Sequence, residues 1–311
     1  MTVTLPTIQR LERSDTEGVI NAIIKDGCCV VKGFADANTI STVNREVQPY
    51  LEADKPWKGD LFPPETRRCP NLVGRSPTAR DTWFVDPLIR AVNATFIDKT
   101  TSNYYGETKH TYTSEAVCTI ALTFDIGPGA QAQRLHRDDK NYHVDHTDQT
   151  PTPQGGGGYR VGSDVLIGFL IAGVPTTYEN GATLAIPGSH LWDNERVPHL
   201  HEATHAALEP GDMWIMLGSL YHAGGANMTQ NERRVVHGFF FTRGYMRQEE
   251  NAYLANSPEE VLSWTPEAQK AMGYTLSSPN IGAVLFRTPL DYLSGRQGDD
   301  FGDFDPSQEK K

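Results

Sequence analysis

The chain has 311 residues, of which 38% are hydrophobic, so it is long enough to bury a substantial core. Its net charge of −11 argues against nucleic acid and anionic membranes as partners and favours neutral or cationic ligands. The longest apolar run, VLIGFLIAGV at 165–174, covers about half of the roughly 20 residues that a membrane helix needs. We therefore predict that this run is a buried strand.

Cellular location is indicated by the N-terminal sequence and by the cysteines. The first residues contain no apolar stretch followed by a cleavage site, which argues against secretion. The chain has 4 cysteines, two of them adjacent, which do not form the pattern of a disulfide framework. We expect a cytoplasmic protein.

The first part of the chain predicts helices and one short strand. The sequence SDTE at 14–17 is a capping box before apolar positions that suit a helix ending at Gly27. The strand CCVVKGF follows, and apolar residues at helical spacing predict a second helix over 37–51. The segment 55–80 is rich in proline and arginine and predicts a loop long enough to line a site.

The region from 114 to 242 changes to short β-rich runs separated by turn residues, which is typical of an antiparallel sandwich or barrel. The predicted strands are VCTIALTFDIG, AQRLH, DVLIGFLIAGV, ATLAIPG, HAALEPGDMWIMLG and RRVVHGFFFTRG. Helices follow at SPEEVLSW and TPEAQKAMG, each with a Ser or Thr cap before a proline. We predict a single domain over 1–295, with helices around a central β structure and a disordered tail over 296–311.

One stretch, LHRDDKNYHVDHTD at 135–148, contains three His-x-Asp pairs, any of which could supply two metal ligands. We favour His136 with Asp138, because this pair follows directly from a predicted strand, whereas the other two precede a proline- and glycine-rich run. His222, at the end of another predicted strand, is the best candidate for a third ligand. Two histidines and one carboxylate form the facial triad of Fe(II) oxygenases, although zinc accepts the same ligands. The alternative is that His136 and Asp138 cap a turn and His222 is a core histidine.

Two arginines follow His222 on the last predicted strand, in NERRVVHGFFF. We expect Arg233 to point into the barrel, where it would bind a co-substrate carboxylate through two hydrogen bonds. We expect Arg234, its neighbour, to face solvent.

The segments GPGAQAQRLHRDD, ENGATLAIPGSHLW, EPGDMWIMLGSLYHAGGANMTQNERR and RGYMRQEENAYLA resemble the phytanoyl-CoA dioxygenase family of Fe(II)- and 2-oxoglutarate-dependent oxygenases. The resemblance is strongest to fungal members that modify alkaloids, quinolones and meroterpenoids. It implies a double-stranded β-helix, also called a jelly roll, with flanking helices. It also implies that the protein uses Fe(II), 2-oxoglutarate and O2, with ascorbate as a reductant in vitro.

Positions in the family carry over to individual residues of this chain. The metal ligands fall on His136, Asp138 and His222, and the 2-oxoglutarate contacts fall on Gln133, Thr183 and Arg233. Gln133 could instead be a polar residue at a strand edge, and Thr183 an ordinary strand former.

The substrate is less well defined by the sequence. The acidic chain shows no basic cluster for the phosphates of coenzyme A, so we expect a hydrophobic natural product that is hydroxylated, desaturated, epoxidised or rearranged. Asn71, Arg75, His143 and Phe241 are candidate substrate contacts, and 143–163 is a candidate lid. A homodimer is possible. The competing hypotheses are a zinc-dependent hydrolase and a metal-free jelly-roll binding protein.

Overall fold

The computed structural model of the chain describes residues 7–59 and 62–296. Apart from Arg296, the predicted disordered tail lies outside these residues. Two antiparallel sheets that face each other form the centre of the described part, and helices cover the outer face of the larger sheet.

The strands lie mainly in the middle of the chain. In chain order they are β1 (Arg10–Glu12), β2 (Cys28–Lys32), β3 (Thr66–Cys69), β4 (Lys99–Tyr105), β5 (Thr108–Ser114), β6 (Ala116–Ile126), β7 (Leu166–Ala172), β8 (Thr183–Ala185), β9 (Thr204–Ala206), β10 (Met213–Leu217), β11 (His222–Ala223) and β12 (Arg234–Arg243).

The helices precede and follow this β region. They are α1 (Thr16–Asp26), α2 (Ala37–Ala53), α3 (Leu72–Arg75), α4 (Pro87–Phe96), α5 (Ala252–Ala255), α6 (Pro258–Leu262), α7 (Pro266–Ala271) and α8 (Pro289–Leu293), with a π-helix at Ala79–Phe84.

The larger sheet has the strand order β1-β2-β10-β7-β12-β6-β3, and the smaller sheet has the order β11-β8-β9. The pairs are antiparallel except for β1 with β2. Ala185 and Ala206 of the smaller sheet pack in one apolar cluster with Leu122, Leu170 and Trp214 of the larger sheet. This arrangement confirms the predicted jelly roll with flanking helices.

Several predicted elements are confirmed with their physical cause. The helix α1 ends as predicted, where Gly27 adopts a left-handed conformation with φ 75°. Its cap differs from the predicted capping box at 14–17, because Asp15 accepts the hydrogen bond from the backbone N of Gly18. Ser257 and Thr265 cap α6 and α7 in the same way, each directly before a proline.

Two predicted elements are wrong. The segment 55–80 is not all loop, because β3 pairs with the outer edge of β6 and a short helix follows it. This edge pairing is made by the polar sequence TRRC, so tertiary contact outweighs local composition. The segment AQRLH does not form a strand, and only His136 makes a bridge, to His222.

Strand β12 separates two apolar layers because successive side chains point to opposite faces. Phe239 and Phe241 pack against Phe84 on the helix side, each with a ring-centroid distance of 5.5 Å. Val236 and Phe240 face the space between the two sheets. Neighbouring phenylalanines on this strand therefore serve different parts of the molecule.

This separation predicts that truncating two adjacent phenylalanines lowers the free energy of unfolding by different amounts. Phe239→Ala should lower the free energy of unfolding by about 3–5 kcal/mol, because it leaves a new void in a packed core. Phe240→Ala should cost clearly less, because its ring borders a space that is already open. Urea unfolding followed by circular dichroism measures both values, and equal losses would contradict the assignment of the two faces.

Candidate active site

The space between the two sheets is a cavity of about 620 Å³, a size that suits a small-molecule ligand. Apolar side chains from the larger sheet form most of its wall, and polar side chains gather at a few points. The apolar lining residues of the larger sheet are Ile120, Leu122, Phe124, Ile126, Leu170, Trp214, Met216, Val236 and Phe240.

The three predicted metal ligands converge on this cavity. One ligand atom from each of His136, Asp138 and His222 lies within 4.8 Å of the others. Two backbone hydrogen bonds join the histidines, from His136 N to His222 O at 2.9 Å and from His222 N to His136 O at 3.0 Å. A bridge between distant chain segments therefore sets the positions of the two rings.

The hydrogen bonds of the histidine rings leave one nitrogen of each available. His136 Nδ1 lies 2.7 Å from the Arg134 carbonyl oxygen, and His222 Nδ1 lies 3.1 Å from the Leu220 carbonyl oxygen. If each Nδ1 donates, each Nε2 is free to bind a metal, and both Nε2 atoms face Asp138 at 3.4 and 3.5 Å.

The electrostatics of Asp138 also suit a metal ligand. Burial opposes ionisation of its carboxyl group, but the charges of His222 and His136 outweigh burial and lower its pKa to about 2. Burial lowers the pKa of His222. A carboxylate and neutral imidazoles are the forms that bind a metal ion, so this set of donors fits Fe(II).

Arg137 links the two sides of the site, a role that sequence reasoning missed. Its buried guanidinium donates to the carbonyl oxygens of Ser219 and Trp192, both at 2.7 Å, and lies over the Tyr221 ring. Arg137 stands between two of the predicted ligands, and Ser219 lies three residues before the third. The side chain thus ties together the two loops that carry the ligands.

The two remaining His-x-Asp pairs lie away from the cavity. His143 is exposed in a left-handed conformation, and the His146 ring lies 3.0 Å from the Asp139 carboxylate. The described lining of the cavity includes no residue of 143–163. The expected lid is therefore not seen, and Gln149 N holds the segment to the Leu191 carbonyl oxygen at 2.7 Å.

The expected orientation of the two arginines is reversed. Arg233 Nε lies 2.8 and 2.9 Å from the two carboxylate oxygens of Asp125, and Arg233 does not line the cavity. Arg234 lines it and is only 4% exposed. The physical reason is the two-residue period of β12, which places Arg234 on the same face as Val236 and Phe240.

The other predicted co-substrate contacts, Gln133 and Thr183, do line the cavity. Gln133 Oε1 accepts a hydrogen bond from Gly224 N at 2.8 Å, which fixes its side chain against the loop after β11. Their roles toward 2-oxoglutarate stay predictions.

None of the four predicted substrate contacts lines the described cavity. Asn71 caps α3, and Arg75 lies over the Tyr50 ring at 4.5 Å. His143 is exposed, and Phe241 belongs to the core beneath the helices. The sequence of a loop or a strand does not show which of its side chains point inward.

The cavity has further lining residues that sequence reasoning did not select: Trp57, Phe62, Arg68, Lys140, Asn141 and Glu249. The first three come from the segment 55–80, which was predicted to line a site. Arg68 lies over the Trp57 ring at 4.9 Å and pairs with Asp54 through an Nε to Oδ2 distance of 2.9 Å.

Comparisons with known proteins identify the family of the chain. The family model of phytanoyl-CoA dioxygenase (PhyH) matches residues 23–235. The chain is 34% identical over 290 residues to the dioxygenase swnH1 of Metarhizium robertsii, covering 90% of this chain and 89% of the relative. It is 33% identical to the dioxygenase peniF of Penicillium patulum, covering 89% and 88%.

Solved structures show the same fold at low sequence identity. The α-ketoglutarate-dependent epimerase SnoN from nogalamycin biosynthesis has a TM-score of 0.54 at 15% identity, covering 79% of this chain and 90% of SnoN. HygX from Streptomyces hygroscopicus, solved with nickel and 2-oxoglutarate, has a TM-score of 0.54 at 15% identity, covering 77% and 94%.

Fold, donor set and relatives together define a non-haem dioxygenase that uses Fe(II), 2-oxoglutarate and O2. The chain belongs to the phytanoyl-CoA dioxygenase family. Neither competing hypothesis, a zinc-dependent hydrolase or a metal-free binding protein, is supported by these findings.

The contacts of Arg137 predict a measurable effect on metal binding. Arg137→Met should weaken Fe(II) binding by roughly 10–100-fold, the usual effect of losing a partner that orients metal ligands. Calorimetric titration of the metal-free protein with Fe(II) under nitrogen gives the affinity. Arg134→Met, which removes a nearby exposed side chain, is the control. Unchanged affinity in a folded Arg137→Met protein would disprove the positioning role.

Proposed function

We propose that the protein oxidises a hydrophobic natural product, with Fe(II) held by His136, Asp138 and His222 and the far carboxylate of 2-oxoglutarate held by Arg234. The observation that carries this proposal is the state of Arg234. Its guanidinium is buried in the same cavity as the three converging ligands, and its Nε has no hydrogen-bond partner within the described residues.

The electrostatics of Arg234 favour an anion. Burial lowers the pKa of its guanidinium to about 10, so the side chain is still charged at neutral pH. A buried charge without a partner is costly, and a carboxylate is the anion that matches the planar fork of arginine. Gln133 and Thr183, which line the same cavity, are proposed as further contacts to the co-substrate.

When bound, Fe(II) and 2-oxoglutarate supply the activation of O2, and the protein supplies orientation and exclusion of water. Leu170, Trp214 and Val236 form apolar walls in the same cavity as the three ligands. Such walls hold an apolar substrate with one carbon near the metal, which selects the position that reacts. The reaction classes that we propose are hydroxylation, desaturation, epoxidation and ring rearrangement.

The cavity cations argue against an acyl-coenzyme A substrate. Among the described lining residues, the lysines and arginines are Arg68, Lys140 and Arg234. Arg68 is paired with Asp54, and Lys140 Nζ donates to the Arg137 carbonyl oxygen at 3.0 Å. No cluster of free cations is therefore left among these residues for the phosphates of coenzyme A. The apolar wall and the fungal relatives support a role in secondary metabolism.

The metal assignment predicts the behaviour of single-ligand variants. His136→Ala, Asp138→Ala and His222→Ala should each lose iron and stop forming succinate, because a facial triad has no spare protein ligand. Iron content after desalting and succinate formation with 2-oxoglutarate under air are the measurements. His143→Ala is the matched control and should keep its iron. If it lost iron as completely as His136→Ala, the choice of pair would be wrong.

The two arginines can be distinguished by co-substrate binding. Arg234→Met should weaken 2-oxoglutarate binding by at least about 30-fold, since loss of one partner of a buried charge pair costs 2 kcal/mol or more. Calorimetry on the Fe(II)-loaded protein without oxygen provides the affinity. Arg233→Met should leave this affinity unchanged while losing its pair with Asp125. If Arg233→Met weakened 2-oxoglutarate binding and Arg234→Met did not, Arg233 would be the co-substrate contact instead.

A further inference from the structure

The cavity contains a carboxylate that neither the metal centre nor the co-substrate site uses. Glu249 lies in the segment between β12 and α5 and lines the cavity. Its backbone N donates to Thr119 Oγ1 at 2.8 Å, and Glu250 N donates to the Thr119 carbonyl oxygen at 3.0 Å. Two hydrogen bonds thus attach this segment to β6 beside the cavity.

Glu249 and Arg234 lie at opposite ends of the same wall. Arg234 pairs with Ile126 on β6, whereas Glu249 is attached at Thr119, seven positions away. At about 3.3 Å per residue, the two attachment points are roughly 23 Å apart along the strand. Arg234 therefore lies toward one end of the cavity wall and Glu249, with Lys140 near it, toward the other, and apolar side chains of the larger sheet line the wall as well.

The Glu249 carboxylate forms no ion pair with a lysine or arginine within the described residues, although Lys140 is close enough for its charge to act on it. Burial raises its pKa and so does the Asp138 charge, whereas a hydrogen bond from the Asn141 side chain and the Lys140 charge lower it, with a net rise. Lys140 is the nearby cation, but its Nζ donates to the Arg137 carbonyl oxygen and forms no ion pair with Glu249 within the described residues. Glu249 is an exposed residue that also lines the cavity, so its carboxylate can be reached by a ligand there.

The apolar wall near Glu249 limits what the rest of a bound ligand can be. Ile120 and Phe240 are paired on adjacent strands at this end, and both side chains line the cavity with Met216. A ligand that fills this end must present an apolar body to these side chains and a hydrogen-bond donor to Glu249. A protonated amine does this best, because it supplies both the donor and the opposite charge.

We propose that Glu249, oriented by Asn141 and Thr119, binds a protonated amine of the substrate, so that the natural substrate is a hydrophobic amine. This inference rests on the proposed function, since it places the amine at the end of the cavity away from 2-oxoglutarate. Glu249 would then set which carbon of the substrate lies beside the metal.

The test compares amines with alcohols of the same shape. Tryptamine and phenethylamine, with tryptophol and phenethyl alcohol as neutral counterparts, are titrated into the protein loaded with Fe(II) and 2-oxoglutarate without oxygen. We expect each amine to bind about tenfold or more tightly than its alcohol, as a charged hydrogen bond provides. Glu249→Gln should remove this preference, because the amide keeps the shape and loses the charge.

Glu250→Gln is the matched control, because Glu250 accepts a hydrogen bond from Asn71 N and does not line the cavity. It should keep the preference for amines. Equal binding of amines and alcohols, absence of amine binding, or a preference that survives Glu249→Gln would each overturn the inference. Binding of Fe(II) and 2-oxoglutarate is measured in the same samples, so failure of the proposed function would be visible separately.

Discussion

The active site depends on the pair of backbone hydrogen bonds between His136 and His222. These residues are 86 positions apart in the numbering, and each belongs to a segment with little regular structure of its own. The bridge brings both rings to one edge of the smaller sheet, and the turn after His136 then places Asp138 within reach of both. Arg137 supports the same junction from the buried side.

The polar groups of the cavity come from two places: the bridged segments that carry His136 and His222, and the strands of the larger sheet opposite them. The metal ligands are supplied by loops and by the short β11, whereas Arg234 is supplied by the long β12 of the larger sheet. A rigid strand therefore carries the charge that we assign to the co-substrate. Glu249 and Asn141 come from less regular segments, and these are the parts of a fold that most readily change with substrate.

Sequence reasoning was most successful where local chemistry alone decides the structure. The caps at Ser257 and Thr265 are predicted because a side-chain oxygen satisfies nearby backbone donors, which needs no tertiary information, whereas the cap of α1 forms at Asp15, one residue after the start of the predicted capping box. The three predicted metal ligands converge although neither histidine ends a strand, because the bridge between His136 and His222 and the short His-x-Asp spacing bring them together. The β3 edge pairing and the β4–β5 hairpin were missed, because their sequences are polar and are specified by partner strands.

The main errors share one cause: the sequence of a strand does not show which of its two alternating sets of side chains faces the cavity. Alternation predicts that every second residue of β12 faces the cavity, but the sequence RRVVHGFFF does not show which set it is. Choosing Arg233 and Phe241 selected the outer set, whereas Arg234 and Phe240 form the inner set. Asn71 and Arg75 lie outside the described lining for another reason, since loop residues carry no periodic signal that shows where their side chains point.

The alternation on β12 also affects how this protein can change over time. Phe239 and Phe241 face the helices, and Arg234, Val236 and Phe240 face the cavity. One strand therefore carries two sets of positions that can be substituted nearly independently of each other. Resistance to heat can evolve through the first set while chemical selectivity evolves through the second set, even though the residues concerned are immediate neighbours in the gene.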